Sequence, residues 1–414
     1  MRTWAARARL VGLTLALASC SSPSVAQRSP ETVTVVEGLD FPAGIAFDPR
    51  GRMYVTERAG RLRVVRSGAL DPEPLAEIPT ETAGETGLLG IAVSPEGDSL
   101  YVFATAPDGR SNRVLRVPIA GGRPETVVAG LPASTYHNGG GVAFAPDGTL
   151  LVSNGEQHAF DRAQDPDALG GKVYRFTPAG GVPPDNPFGN SPALAIGLRN
   201  PFGLTVDPVS GAAFVTENGP SSNDEINRIV PGGNYGWPVV SGAASGQDTG
   251  ALEGTYRDPL LAYPEIIVPT GIAFADGRAR RDFRGDLFFA TFGEQTIHRV
   301  RLDADRSQAV ADEIFLRAGE SVIALAWGPR GLYYSTPGAV HLVPLARSRD
   351  KPERRTSSPS PAPQRARSPD PPAAGEEGRG PLVALITAGG ALVVTALFVL
   401  RRTHDRQRRG GRAP

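Results

Sequence analysis

The sequence predicts an all-β chain folded as a six-bladed β-propeller, and three observations carry that expectation. One phrase recurs six times along the chain, and each copy reads as strand, tight turn, strand. Nothing between the copies resembles an amphipathic helix long enough for a β-α-β crossover, which disfavours a parallel α/β sheet. The 414 residues include 50 Gly and 39 Pro but only 7% aromatic residues, the balance of a chain made of short strands and many turns. A chain this long buries roughly three quarters of its unfolded surface, so a full core is available to it.

The copies run G-I-A-F-D-P-R-G-R-M-Y-V-T-E from Gly44 and G-I-A-V-S-P-E-G-D-S-L-Y-V-F-A-T from Gly90. They continue with G-V-A-F-A-P-D-G-T-L-L-V-S-N from Gly141 and G-L-T-V-D-P-V-S-G-A-A-F-V-T-E-N from Gly203. A looser copy starts at Gly271, and the last, A-L-A-W-G-P-R-G-L-Y-Y-S-T, starts at Ala324. In each, an apolar run meets a turn rich in Pro, Asp and Gly and leaves as a second β-rich run ending on polar residues. A lone hairpin cannot bury both its faces, so units at this spacing must stack or close into a ring. Six copies therefore predict a six-bladed ring over residues 31–348. Closure needs the two ends to share a blade, and T-V-T-V-V at 32–36 and A-V-H-L-V-P at 339–344 are the expected partners.

Both termini read as targeting segments. Residues 1–27 have a basic start (Arg2, Arg7, Arg9) and a short apolar stretch, Leu10–Ala18, as in an export signal. Leu17-Ala18-Ser19-Cys20 has the form of a bacterial lipobox and holds the only cysteine of the chain; Ser24-Val25-Ala26 offers an ordinary cleavage site instead. A single cysteine also excludes an intramolecular disulfide and a thiolate zinc cluster. At the other end, 349–380 is rich in Pro, Ser and charge, the composition of an extended stalk. Residues 381–400 are an uncharged apolar run long enough to span a bilayer as a transmembrane helix, followed by the Arg-rich tail 401–414. The positive-inside rule leaves that tail in the cytoplasm and the body on the extracytoplasmic side of the cell membrane. With 43 Lys+Arg against 43 Asp+Glu, the chain lacks the basic excess of a nucleic-acid binder.

Chemistry is expected where loops interrupt the repeat. Tyr136-His137-Asn138-Gly139-Gly140-Gly141 brings a histidine and three glycines to the start of the third copy. Glycines admit a ligand close to the backbone, and histidine is the natural base near neutral pH. Taken alone, such a histidine is more often a structural hydrogen-bonder. Gly197-Leu198-Arg199-Asn200-Pro201 places Arg199 before the fourth copy, where a surface ion pair would explain it equally well. The long loop from Glu217 through Gly219, Pro220 and Glu225 to Tyr235 offers carboxylates and turn carbonyls, the hard oxygens that calcium prefers, without the EF-hand spacing. Asp161, Asp165 and Asp167 read as solvated turn residues. No phosphate-binding loop, dinucleotide fingerprint, nucleophile elbow or zincin motif is present.

Taken together, F-P-A-G-I-A-F, V-T-E-R-A-G-R-L-R-V-V, G-L-L-G-I-A-V-S-P, H-N-G-G, A-Q-D-P-D-A-L-G-G-K-V-Y-R, G-L-R-N-P-F-G-L, E-N-G-P and G-N-Y-G-W-P-V-V-S resemble the glucose/sorbosone dehydrogenase family over roughly residues 34–345. That resemblance implies a six-bladed quinoprotein that oxidises an aldose at its anomeric hydroxyl to a lactone. Its cofactors would be pyrroloquinoline quinone and calcium, with a quinone or redox protein as electron acceptor. It implies that His137 is the general base and that Arg199 stands beside the reacting quinone carbonyl, with Asn200 as a cofactor contact. Gly219 and Pro220 would offer carbonyls to the cofactor calcium, and Glu225 and Tyr235 would belong to a second calcium site. The family's cofactor-pairing cations fall at Gly293, Ser321 and Ile323, where this chain has none, and Glu85 stands where Gln is usual. Arg299 and Arg317 are the sequence's candidates to replace those cations. The alternative from another class is a cofactor-less propeller that binds a sugar or a protein at its channel face.

Overall fold

The recurring phrase folds as the two inner strands of each blade, and the segments between copies supply the outer strands. The computed structural model describes residues 29–346 apart from Ser67, Ala251 and Glu253. Its first blade is Pro42–Phe47, Met53–Glu57 and Arg61–Arg66, edged by Ala69–Leu70 and Ala76–Glu77. The second is Leu88–Val93, Ser99–Thr105, Ser111–Pro118 and Glu125–Pro132, and the third is Val142–Phe144, Leu150–Asn154, Lys172–Phe176 and Ala193–Ala195. Pro201–Val206, Ala213–Glu217, Asp224–Ile229 and Leu261–Tyr263 make the fourth; Pro269–Phe274, Leu287–Thr291, Thr296–Leu302 and Ala309–Arg317 make the fifth. The sixth joins Leu325–Gly328, Gly331–Thr336 and Ala339–Pro344 to Val33–Glu37 from the other end of the domain, with Val33 opposite Leu342. The ring thus closes through the two segments expected to meet.

All blade pairings are antiparallel, and among the described residues the single helical element is a 3-10 turn at Phe160–Ala163. No helix among them is long and apolar enough to cross a membrane. The signal segment 1–27, with Cys20, and the stalk, span and tail at 349–380, 381–400 and 401–414 lie outside the described residues.

There is no single core. Each apolar cluster lies between two neighbouring blades: Tyr54 and Leu62 of the first meet Leu88 and Leu100 of the second, and Tyr333 and Leu342 of the sixth meet Ile45 and Met53 of the first. Second strands such as Leu150–Asn154 and Leu287–Thr291 are buried along their whole length because a blade covers each face. That is why they read as continuous runs without polar alternation.

Two features of the phrase explain its recurrence. A Cβ on Gly203 would stand 2.3 Å from the Thr270 carbonyl oxygen, and one on Gly271 would stand 2.4 Å from the Leu325 nitrogen. The leading glycine therefore marks where the next blade approaches too closely for a side chain. The closing hydroxyls then tie blade to blade: Thr216 Oγ1 donates to Thr270 O at 2.7 Å, and Ser335 Oγ donates to Pro42 O at 2.8 Å across the closure. Starts of inner strands and ends of second strands converge on one face of the ring, and the unusual loops lie there.

Candidate active site

On that face a cavity of about 300 Å³ is walled by His137, Arg199 and Asn200, with Arg58, Glu85, Asn218, Gly293, Glu294 and an apolar surround that includes Phe41, Phe202, Phe292 and Ile323. His137 sits at the end of its loop with φ of 60° and is buried. Its main-chain N–H donates to Glu85 Oε2 at 2.8 Å, and its Nδ1 lies 2.6 Å from Glu156 Oε1. Gly139 and Gly155 allow this arrangement, since a Cβ on Gly155 would strike the His137 carbonyl oxygen at 2.1 Å.

Glu156 is the residue that sequence reasoning missed. It is fully buried, its Oε2 has no hydrogen-bond partner, and burial pushes its carboxyl up to about 7 against the pull of the Arg199 charge. The repeat does not mark it: Glu57 and Glu217 end the second strands of the first and fourth blades where the third has Asn154, two residues before Glu156. His158 stacks near His137 at 4.1 Å between ring centroids, and the ligand atoms of His137, Glu156 and His158 lie within 4.8 Å of one another. The 2.6 Å contact between His137 Nδ1 and Glu156 Oε1 is that of a base with its orienting acid. Lys172, itself buried, pins the following loop by donating to Arg162 O at 2.6 Å and Gly170 O at 2.9 Å; burial pulls its ammonium down to about 7.

Arg199 and Asn200 are oriented by one carboxylate: Glu217 Oε1 accepts both their main-chain N–H groups, at 2.9 and 2.6 Å. The Arg199 guanidinium donates to Asn218 O at 2.8 Å and Gly219 O at 3.1 Å and lies over the Trp237 ring at 5.5 Å. Asn200 Oδ1 accepts the Gly139 N–H at 3.0 Å, which ties the arginine loop to the histidine loop.

Behind Arg199 a second, small cavity collects Glu217, Gly219, Pro220, Glu225 and Tyr235, so the four residues expected at calcium do share one neighbourhood. Both carboxylates are buried. Burial, reinforced by the Glu225 charge, holds the Glu217 carboxyl well above the ordinary range, and burial pushes Glu225 up to about 7. Glu217 Oε2 has no partner. Two buried carboxylates beside main-chain carbonyls are a donor set that fits a hard divalent cation. The Tyr235 hydroxyl donates to Arg228 O at 2.6 Å and accepts from Val230 N at 2.9 Å, so its share in an ion site falls to its main-chain carbonyl.

The candidates for replacement cations are corrected by the structure. Arg299 is paired with Asp286 and Glu313 and lies over the Phe283 ring, and neither it nor Arg317 lines the cavity. Gly293 and Ile323 do line it, whereas Ser321 turns its hydroxyl to Phe292 O at 2.9 Å. Asp161, Asp165 and Asp167 are exposed, and Asp165 Oδ1 accepts the Asp167 N–H as a turn residue does.

The family model described as Glucose / Sorbosone dehydrogenase matches residues 39–339. Aldose sugar dehydrogenase YliI of Escherichia coli is 28% identical over 337 residues, covering 74% of this chain and 90% of that one. Quinoprotein glucose dehydrogenase B of Acinetobacter calcoaceticus is 29% identical over 59% of each chain. The PQQ-bound form of an aldose sugar dehydrogenase from Streptomyces coelicolor superposes with a TM-score of 0.66 at 30% identity, covering 76% of this chain and 98% of that one.

Proposed function

The chain belongs to the glucose/sorbosone dehydrogenase family, and from that membership we propose that it is a pyrroloquinoline-quinone-dependent sugar dehydrogenase that oxidises an aldose at its anomeric hydroxyl to a lactone. The observation that carries this reading is His137, which is held by Glu156 and lines the same cavity as Arg199 and Asn200. Bound there, the quinone supplies a two-electron acceptor for hydride from the sugar's anomeric carbon. Ionised Glu156 accepts the His137 Nδ1–H and so leaves the Nε2 lone pair to take the anomeric hydroxyl proton. Arg199 contributes a fixed positive charge beside developing oxyanion character. Asn200 and the carbonyls of Gly219 and Pro220 would hold the quinone and its calcium, with Glu217, Glu225 and the Tyr235 carbonyl as the oxygens available to calcium in the cavity behind. Electrons would leave to a quinone or a redox protein.

The export signal, the span at 381–400 and the Arg tail support a protein held at the cell membrane, with lipid on Cys20 as a further anchor and the propeller on the extracytoplasmic side. The apolar wall at Gly293 and Ile323 is the feature that favours the cofactor-less binder instead. One experiment separates the two. Apoprotein reconstituted with the quinone and calcium should reduce an artificial acceptor when an aldose is added, and His137→Ala should lower the rate by about 10²–10⁴-fold. No quinone binding and no turnover, with His137→Ala indistinguishable from wild type, would establish the binder.

A further inference from the structure

The cavity that holds His137 and Arg199 has one other cation in its wall, Arg58, which lies in the V-T-E-R-A-G-R-L-R-V-V stretch but was given no role there. Arg58 follows the second strand of the first blade and shares the cavity wall with Gly293 and Ile323. Its side chain is prepared rather than loose. The guanidinium lies over the Phe41 ring at 5.0 Å, and Nη1 donates to Gly84 O at 2.6 Å and Thr82 O at 3.2 Å. A Cβ on Gly87 would stand 2.4 Å from Arg58 Cγ, so that glycine is the groove in which the arginine stem lies.

What Arg58 lacks is a direct ion pair. It forms no ion pair with any described residue; neighbouring Asp40 is paired with Arg61 at 3.6 Å. Of the cavity's two carboxylates, Glu85 is committed to His137 N and Asn200 Nδ2, and Glu294 makes no ion pair with Arg58. Burial pulls the Arg58 guanidinium below its ordinary value, and the nearby Asp40 charge offsets this only in part. A half-buried cation held by neutral carbonyls and an aromatic face, with a donor edge left over, suits a carboxylate entering from the cavity.

We propose that Arg58 is the cation that receives a carboxylate of the bound quinone cofactor, making the first blade the anchor for the ligand's acidic end. This inference rests on the quinoprotein reading above. Pyrroloquinoline quinone carries three carboxyl groups, and the blade-five and blade-six wall offers them no cation: it presents Val268, Phe292, Gly293, Ile323, the like-charged Glu294 and Thr270, whose hydroxyl donates to Val322 O.

The test is equilibrium titration of the calcium-loaded apoprotein with pyrroloquinoline quinone and, separately, with its trimethyl ester, read by quenching of tryptophan fluorescence. Arg58→Met keeps the stem against Phe41 and in the Gly87 groove; near-ultraviolet circular dichroism and the thermal midpoint check that it folds. It should weaken binding of the acid on the order of 10- to 100-fold, the loss expected for one charge-assisted hydrogen bond. Binding of the ester should change little, so the preference of wild type for acid over ester shrinks by the same factor. Arg58→Lys should recover part of the loss. Arg58→Met with an undiminished preference for the acid overturns the assignment, and so does an equal loss for acid and ester, which would mean that Arg58 only shapes the wall. Wild type that binds neither form would instead overturn the quinoprotein reading itself, and this inference with it.

Discussion

Replacing Glu156 by Gln tests the base assignment with the least disturbance. The carboxylate oxygen lies 2.6 Å from His137 Nδ1 in a buried setting, and burial places its titration at about 7. Below that value a protonated Glu156 donates to Nδ1 and drives the ring's own proton to Nε2, where the imidazole cannot act as a base. Above it the carboxylate accepts from Nδ1–H and frees Nε2. Wild-type kcat should therefore rise with pH through about 7. The amide of Glu156→Gln keeps the shape but not the charge that steadies the imidazolium formed on proton transfer. The difference between a charge-assisted and a neutral hydrogen bond, about 1–1.5 kcal/mol, converts to roughly 5- to 13-fold in kcat with KM nearly unchanged. The assay is steady-state reduction of an artificial acceptor at saturating quinone and calcium, from about pH 5 to about pH 8.

Stability supplies an independent readout. Because the folded-state pKa of Glu156 is raised from 4.5 to about 7, its contribution is fully present below the unfolded value and is lost as pH rises through about 7. The loss is on the order of 3 kcal/mol. Glu156→Gln should remove that part of the slope of unfolding free energy against pH. A variant that keeps the wild-type kcat and the same rise near pH 7 would refute the reasoning, because the charge would then have no part in setting the tautomer of His137.

Two further outcomes concern calcium and topology. Calcium should stabilise the fold by about 2.7 kcal/mol at a hundredfold excess over Kd, so the thermal midpoint climbs with the logarithm of its concentration, and Glu225→Gln should shrink that shift; a midpoint indifferent to calcium would remove the ion from the cavity behind Arg199. Protease added to intact cells should release the propeller by cutting within 349–380 while a C-terminal tag stays protected, and a tag digested from outside would reverse the proposed orientation.

The ring itself was legible in the sequence because its determinants are local and repeated. The glycine that opens most inner strands and the hydroxyl near the end of the second strand are fixed by contact with the next blade, so one geometric demand writes itself along the chain, as at Gly44 with Thr56 and Gly203 with Thr216. Closure through Val33–Glu37 was readable because the last copy leaves its blade one strand short, and the strand-like segment ahead of the first copy supplies the fourth. His137, Arg199 and Asn200 stood out as loops that break the phrase. Glu156 and Arg58 did not, for opposite reasons. Glu156 looks like the polar end of an ordinary strand until folding buries it against a histidine nineteen residues earlier and strips away its water. Arg58 is one arginine among many, and only the ring brings it into the cavity that Gly293 and Ile323 line from the blades on the far side of the closure. The repeat fixed the scaffold through neighbours in sequence, whereas the charges of the site acquire meaning from desolvation and from partners several blades away, which only the tertiary structure decides.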